Sequence, residues 1–249
     1  RLMAGEAAAT RPLEIDDVAR MHYRGGSMLG IARANPTRQE ADLERVIAGL
    51  ESRGIDKLVT IGGDDTAYSA FRTSRQAEGR IRVAHVPKTI DNDLDLPPEI
   101  DTFGYQTARS VGVDVVRNLM TDAKTTRRWY LVVAMGRTAG HLALGIGKAA
   151  GATLTVVPEE FEDRKIPISE VVDILVGAIL KRRADGRDDG VAVIAEGVAL
   201  SIAEDDLGQL GPIERDAHGH VRLAEIDFAG GLKRLVRDRL KELGDRKST

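Results

Sequence analysis

The sequence predicts an α/β fold built on doubly wound parallel sheets. Short β-branched runs alternate with longer helical patterns, the order expected of successive βα units. The runs are continuously apolar rather than alternating, which suits strands covered on both faces. Glycine-rich turns follow several of them, at the strand ends where such sheets bind ligands.

The strands are expected at 57–61 (KLVTI), 82–86 (RVAHV), 129–134 (WYLVVA), 152–157 (ATLTVV) and 191–195 (VAVIA). Before the first of these, RQEADLERVIAGLESRG places Leu43, Val46, Ile47 and Leu50 on one helical stripe, with Gly54 as its C-terminal stop. Further helices are expected over 66–78, 105–122, 138–150, 168–183 and 229–243, the last with Leu232, Leu235, Val236, Leu240 and Leu243 on its stripe. The turn-rich 91–104 reads as a crossing between two lobes. RRADGRDDG (182–190) reads as a solvated connector.

Composition limits the function classes. At 249 residues the chain suffices for one large domain or two modest ones. Lys and Arg number 36 against 39 Asp and Glu, so net charge gives no reason to expect a nucleic acid or an anionic membrane as partner. Absence of cysteine removes disulfides, thiolate chemistry and zinc–thiolate clusters, and fits a reducing cytoplasm. No apolar run reaches the ~18 residues of a membrane span. The chain opens on Arg1 rather than methionine, and residues are expected upstream.

The chemistry concentrates at strand ends. TIGGDDT (60–66) places two glycines where backbone N–H groups can meet a phosphate, followed at once by Asp64 and Asp65. The plainer reading is a tight turn with Asp65 or Thr66 as helix N-cap. VPKTIDNDLD follows the next strand and adds Lys88, Thr89, Asp91 and Asp93. Four carboxylates at adjoining strand ends are relieved by a divalent cation, and Mg²⁺ takes one or two carboxylates plus substrate phosphates. One remaining aspartate is then free to take a proton from a substrate hydroxyl.

A third strand ends in Met135-Gly136-Arg137 and a helix is expected to start at about Thr138, again an anion-friendly junction. Glu196 and Gly197 end a fourth, where a carboxylate can accept from sugar hydroxyls. Arg33, after a glycine-rich turn, is a further candidate phosphate clamp, and Arg128 sits at the far end of its own strand. Three features have plainer explanations. HGH at His218 and His220 reads as a turn, and GIGKAAG (145–151) lies inside a helix rather than after a strand. Trp129 reads as core.

GGDDT, PKTIDND and MGR, in this order and spacing from about Leu13 to Gly197, closely resemble the phosphofructokinase family. The resemblance implies two doubly wound (Rossmann-like) three-layer α/β lobes with the active site in the cleft between them. Residues 1–103 would form the donor lobe, binding diphosphate and Mg²⁺, and 104–249 the fructose 6-phosphate lobe. It implies Asp91 as the base toward the sugar 1-hydroxyl, with Thr89 and Ile90 in the same segment. Met135, Gly136 and Arg137 would line the sugar-phosphate and transferred-phosphoryl region, and Glu196 would accept from the sugar. Asp64 and Asp93 are the implied metal residues; Gly63, Asp65, Thr66 and Lys88 are the donor residues. The family counterpart of Arg128 reaches a neighbouring subunit's site, implying a homo-oligomer, dimer or tetramer, with shared active sites.

ATP-using members have glycine at the positions of Asp65 and Lys88, whereas diphosphate-using members resemble this chain. The physics agrees: unit charges about 4 Å apart at a surface-like dielectric interact by ~4 kcal/mol, so Asp65 repels an α-phosphate. Lys88 is expected to neutralise Asp65 in the empty site and to stabilise diphosphate during transfer. The reading is a diphosphate-dependent 6-phosphofructokinase. Its rivals are an ATP-dependent member and a non-catalytic subunit with an assembly or regulatory role. The family's N-terminal Gly-rich loop and its C-terminal sugar-phosphate segment are missing from the sequence, which therefore reads as a fragment.

Overall fold

The computed structural model describes residues 2–4, 10–31, 34–161, 164–211 and 227–245. The chain divides into two compact units, Arg1–Lys88 and Thr89–Thr249. The division falls before the boundary expected after residue 103.

The first unit contains α1 (Ile15–Val18), α2 (Glu40–Glu51), β1 (Lys57–Gly62), α3 (Asp64–Ala77) and most of β2 (Arg82–Thr89). β1 and β2 pair in parallel, with Val59 opposite Ala84 and Ile61 opposite Val86. Leu43, Ile47 and Leu50 bury the stripe of α2 against Ala77 and Ile81, with Val46, Leu58 and Val83 packed around them. Gly54, just past α2, has φ +68°, as a C-terminal stop requires.

The expectation that every strand is covered on both faces fails here. Leu58 and Val83 face the helices, but Val59 and Ile61 are each 60% exposed. Alternation is present in burial and hidden in the sequence, because both faces of β1 carry apolar residues.

The second unit contains β3 (Phe103–Gly104), α4 (Tyr105–Thr126), β4 (Trp129–Ala134), α5 (His141–Ala150) and β5 (Leu154–Val156). After a 3₁₀ turn at Pro158–Phe161 come α6 (Ile168–Ala184), β6 (Gly190–Ala195), α7 (Val198–Ser201), α8 (Glu204–Leu207) and α9 (Phe228–Glu242). The sheet is parallel, in the order β4-β6-β5. All six residues of β6 are buried, as expected of a central strand between two helical layers. α4 packs on α5, and α6 on α9. Of the α9 stripe, Leu232, Val236 and Leu240 are buried, while Leu243 is half exposed just beyond the helix.

Two expectations about this unit are settled by its packing. The glycines of GIGKAAG do lie in and just after a helix. A Cβ on Gly147 would stand 2.0 Å from Thr155 Oγ1, so that glycine lets α5 sit close on β5. The connector 182–190 is not merely solvated: Arg182 pairs with Asp189 at 3.1 Å, and Arg183 pairs with Asp245 beyond α9. His218 and His220 lie outside the described residues. No helix among the described residues is long and apolar enough to cross a membrane.

Candidate active site

In the second unit the loops after β4, β5 and β6 emerge at the carboxyl edge of one parallel sheet, where open α/β sheets take ligands. The segment after β2 joins them. Thr89 ends that strand, Ile90 packs against the core of this unit, and Asp91 is buried at 8% exposure. The Asp91 amide donates to Thr89 Oγ1 at 3.1 Å.

Asn92 takes a left-handed conformation, φ +54°, which asparagine tolerates better than most residues. Its Oδ1 accepts from the Thr102 amide at 2.8 Å, and the buried Thr102 hydroxyl donates to the Thr89 carbonyl at 2.8 Å. These bonds close the 89–102 loop on itself and hold Asp91 in place.

Asp91 Oδ2 lies 3.6 Å from Arg137 Nε, whose side chain is otherwise largely exposed. Burial pushes the proton affinity of Asp91 up. A Thr89 hydrogen bond and the Arg137 charge act downward, while Asp93 and Glu196 add to the rise. The balance is a raised pKa. A carboxylate held in this way is a proton acceptor with more driving force than a solvated aspartate.

Arg137 reaches this position through a strained turn. Gly136 has φ +153° and Arg137 φ +52°, the latter uncommon for a side-chain-bearing residue. A Cβ on Gly136 would lie 2.4 Å from the Ala139 carbonyl oxygen, so only glycine fits. Glu196 Oε1 accepts from both the Gly136 amide (3.0 Å) and the Arg137 amide (2.7 Å). The expected helix start near Thr138 is corrected to His141, with Gly140 as N-cap. Carboxylates of this chain fill much of the anion-friendly junction: Glu196 takes two amides and Glu159 Oε1 takes that of Gly140 at 2.7 Å. Met135 is 60% exposed beside it.

In the first unit the GGDDT turn leads from β1 into α3. A Cβ on Gly62 would stand 2.4 Å from Thr66 Oγ1, so this glycine admits the first turn of the helix. Gly63 is the N-cap, and neither Asp65 nor Thr66 takes that place. Asp64 and Asp65 open the helix, exposed, where negative charge meets the positive end of its dipole.

The pairing expected of Lys88 with Asp65 is absent; among the described residues Lys88 makes no ion pair. Strand alternation puts Lys88 on the open face with Val86, away from the face that α2 and α3 cover. Arg33 lies outside the described residues. Arg128, exposed, precedes β4 and so stands at the end of that strand opposite Met135–Arg137.

Asp64, at the start of α3 in the first unit, and Asp93, in the loop after β2 in the second, each offer hard oxygen ligands, and neither carboxylate makes a hydrogen bond or ion pair among the described residues. Among the described residues no three His, Asp or Glu side chains gather into a metal cluster. A carboxylate oxygen is the ligand type that Mg²⁺ takes, with water and substrate phosphate completing its shell.

The phosphofructokinase family profile matches residues 2–234. The chain belongs to the phosphofructokinase family. It is 52% identical over 247 residues to a pyrophosphate–fructose 6-phosphate 1-phosphotransferase of Thermotoga maritima, covering 98% of this chain and 59% of that protein. A protein of the same name from Naegleria fowleri is 48% identical over 244 residues, covering 94% and 55%. The chain thus spans somewhat more than half the length of these relatives. Among solved structures, phosphofructokinase from Saccharomyces cerevisiae matches 79% of this chain and 28% of its own, with 27% identity and a TM-score of 0.68.

Within this phosphofructokinase fold, four residues carry site geometry that the sequence reading did not single out: Asn92, Thr102, His141 and Glu159. Only Asn92 had a usable signal, as an asparagine between two aspartates in a turn. The others act through main-chain partners 13, 49 and 19 positions away, which no spacing rule reports.

Proposed function

We propose that the protein transfers a phosphoryl group from diphosphate to the 1-hydroxyl of fructose 6-phosphate, giving fructose 1,6-bisphosphate and phosphate. The observation that carries the reading is the buried Asp91 carboxylate facing Arg137 Nε at 3.6 Å. The names of the relatives at 52% and 48% identity support diphosphate as donor.

In the reaction Asp91 accepts the proton of the 1-hydroxyl as its oxygen bonds to phosphorus and the diphosphate bridge breaks. Arg137, presented by its left-handed turn, stabilises charge on the transferring group. The leaving phosphate keeps the bridging oxygen and its electron pair. Thr89, Ile90, Met135, Gly136 and the free Oε2 of Glu196 line the sugar side.

Gly63, Asp65, Thr66 and Lys88 are assigned to the donor, with Asp65 excluding the α-phosphate of a nucleotide. Asp64 is assigned to Mg²⁺, with Asp93 in a supporting role. When bound, the ion neutralises diphosphate charge. The first unit is assigned to the donor and the second to the sugar phosphate. Arg128 is assigned to a neighbouring subunit's sugar phosphate in a homo-oligomer working in the cytoplasm, and Arg33 to a phosphate. The transfer is read as reversible.

The test is ³¹P NMR of the full chain with Mg²⁺, diphosphate and fructose 6-phosphate. Growth of a fructose 1,6-bisphosphate signal equal to the orthophosphate released is expected. Diphosphate loss without sugar bisphosphate would overturn the assignment.

A further inference from the structure

Glu159 lies in the 3₁₀ turn after β5, and its carboxylate reaches a different segment altogether. Its Oε1 accepts from the Gly140 amide at 2.7 Å. Gly140 is buried, and a Cβ built on it would stand 2.3 Å from Glu159 Oε2 and 2.5 Å from Val157 Cβ. The carboxylate therefore occupies the space a side chain at 140 would need. α5 has no side-chain cap from its own N-terminal residues, so Glu159 supplies the acceptor from outside the helix.

The residue after Gly140 is His141, and its Nδ1 is 2.8 Å from the Asn92 carbonyl oxygen. A carbonyl only accepts, so Nδ1 carries the hydrogen and donates. The Tyr105 hydroxyl donates to the His141 carbonyl at 3.2 Å and fixes the same residue from the α4 side. Asn92 directly follows Asp91, and its side chain is held by Thr102. A continuous line of bonds thus runs from Glu159 through the start of α5 to the peptide beside Asp91.

We propose that Glu159 is a positioning residue for catalysis, which holds Gly140 so that His141 fixes the Asn92 carbonyl and, with it, the loop carrying Asp91. The inference rests on the reading of Asp91 as base. Reacting groups must be held within fractions of an ångström, and a misplacement of about 1 Å can cost on the order of 10²-fold in rate. Glu159 touches no reacting atom, so its loss should appear in kcat rather than in binding of the sugar phosphate.

Four single variants of the full chain test this. Glu159→Ala and His141→Leu should each lower kcat by about tenfold or more while KM for fructose 6-phosphate stays near the wild-type value. Glu159→Gln keeps an acceptor oxygen and His141→Asn keeps a donor near the place of Nδ1; both should recover most of the loss. The Glu159→Ala/His141→Leu double variant should be little worse than the poorer single one, because both break the same line.

Hydrogen exchange over residues 89–95 supplies a readout independent of turnover, and should quicken in Glu159→Ala. If the wild type proves inactive with diphosphate and yet this exchange quickens, the linkage stands and the assignment of activity falls. Wild-type kcat in Glu159→Ala, with unchanged exchange over 89–95 and only a lower Tm, would overturn the inference and leave Glu159 a helix cap.

Discussion

Removal from water raises the proton affinity of Asp91, and the Thr89 hydrogen bond and the nearby Arg137 charge hold the rise in check. Asp91→Asn keeps the size of the side chain and removes its capacity to take a proton. It should lower kcat by about 10²–10⁴-fold, the usual worth of positioned proton transfer, with a much smaller change in sugar-phosphate binding. Steady-state kinetics beside calorimetry of fructose 6-phosphate checks this, and a near-normal kcat excludes Asp91 as the base. Gly136 is the second test at this scale. Gly136→Ala forces a methyl to within 2.4 Å of the Ala139 carbonyl oxygen at a φ of +153°. The turn must move, taking the Arg137 guanidinium with it, so both kcat and thermal stability should fall. Asp91, Gly136 and Arg137 were legible in the sequence because they sit in short motifs directly after apolar runs. Glu159 and His141 were not, since their partners are backbone atoms brought near only by the packing of α5.

At the scale of elements, continuous apolar runs marked the position of each principal strand but could not say which were central. β6 is buried throughout, whereas β1 buries one face and leaves Val59 and Ile61 open. Both read alike because burial is set by neighbouring layers, which a run of apolar residues does not encode. Ile194, fully buried in β6, provides the energetic check: Ile194→Ala should cost about 2–5 kcal/mol by denaturant unfolding, from lost burial plus a residual cavity. Ile61→Ala on the open face should cost far less. A cost at Ile61 equal to that at Ile194 would mean β1 is covered after all. The start of α5 was misplaced for a different reason. Thr138 satisfies local helix-start rules, but the Glu196 and Glu159 carboxylates capture the amides of Gly136, Arg137 and Gly140, and the helix begins only at His141.

For the molecule as a whole, motif order and spacing over most of the chain were enough to indicate the family, and the profile match over residues 2–234 agrees. Assembly is testable through Arg128, which stands exposed at the end of β4 away from Met135–Arg137. Arg128→Ala should raise KM for fructose 6-phosphate, by loss of a charge-assisted contact given to another subunit. Mixed with Asp91→Ser protein under conditions of subunit exchange, it should regain activity, because hybrids contain some sites with both residues intact. No recovery after proven exchange would mean that each site is built from one chain.

Donor choice is the central claim, and Asp65 and Lys88 carry it. The direct measurement is kcat/KM for diphosphate and for ATP, at saturating fructose 6-phosphate and Mg²⁺, in the wild type and in Asp65→Gly. The wild type should use diphosphate and scarcely ATP. Asp65→Gly should bind ATP measurably and lose part of its diphosphate turnover, if Asp65 both excludes the α-phosphate and belongs to the donor site. Comparable rates with ATP in the wild type would contradict the account, as would an Asp65→Gly enzyme that still fails to bind ATP and keeps full diphosphate activity.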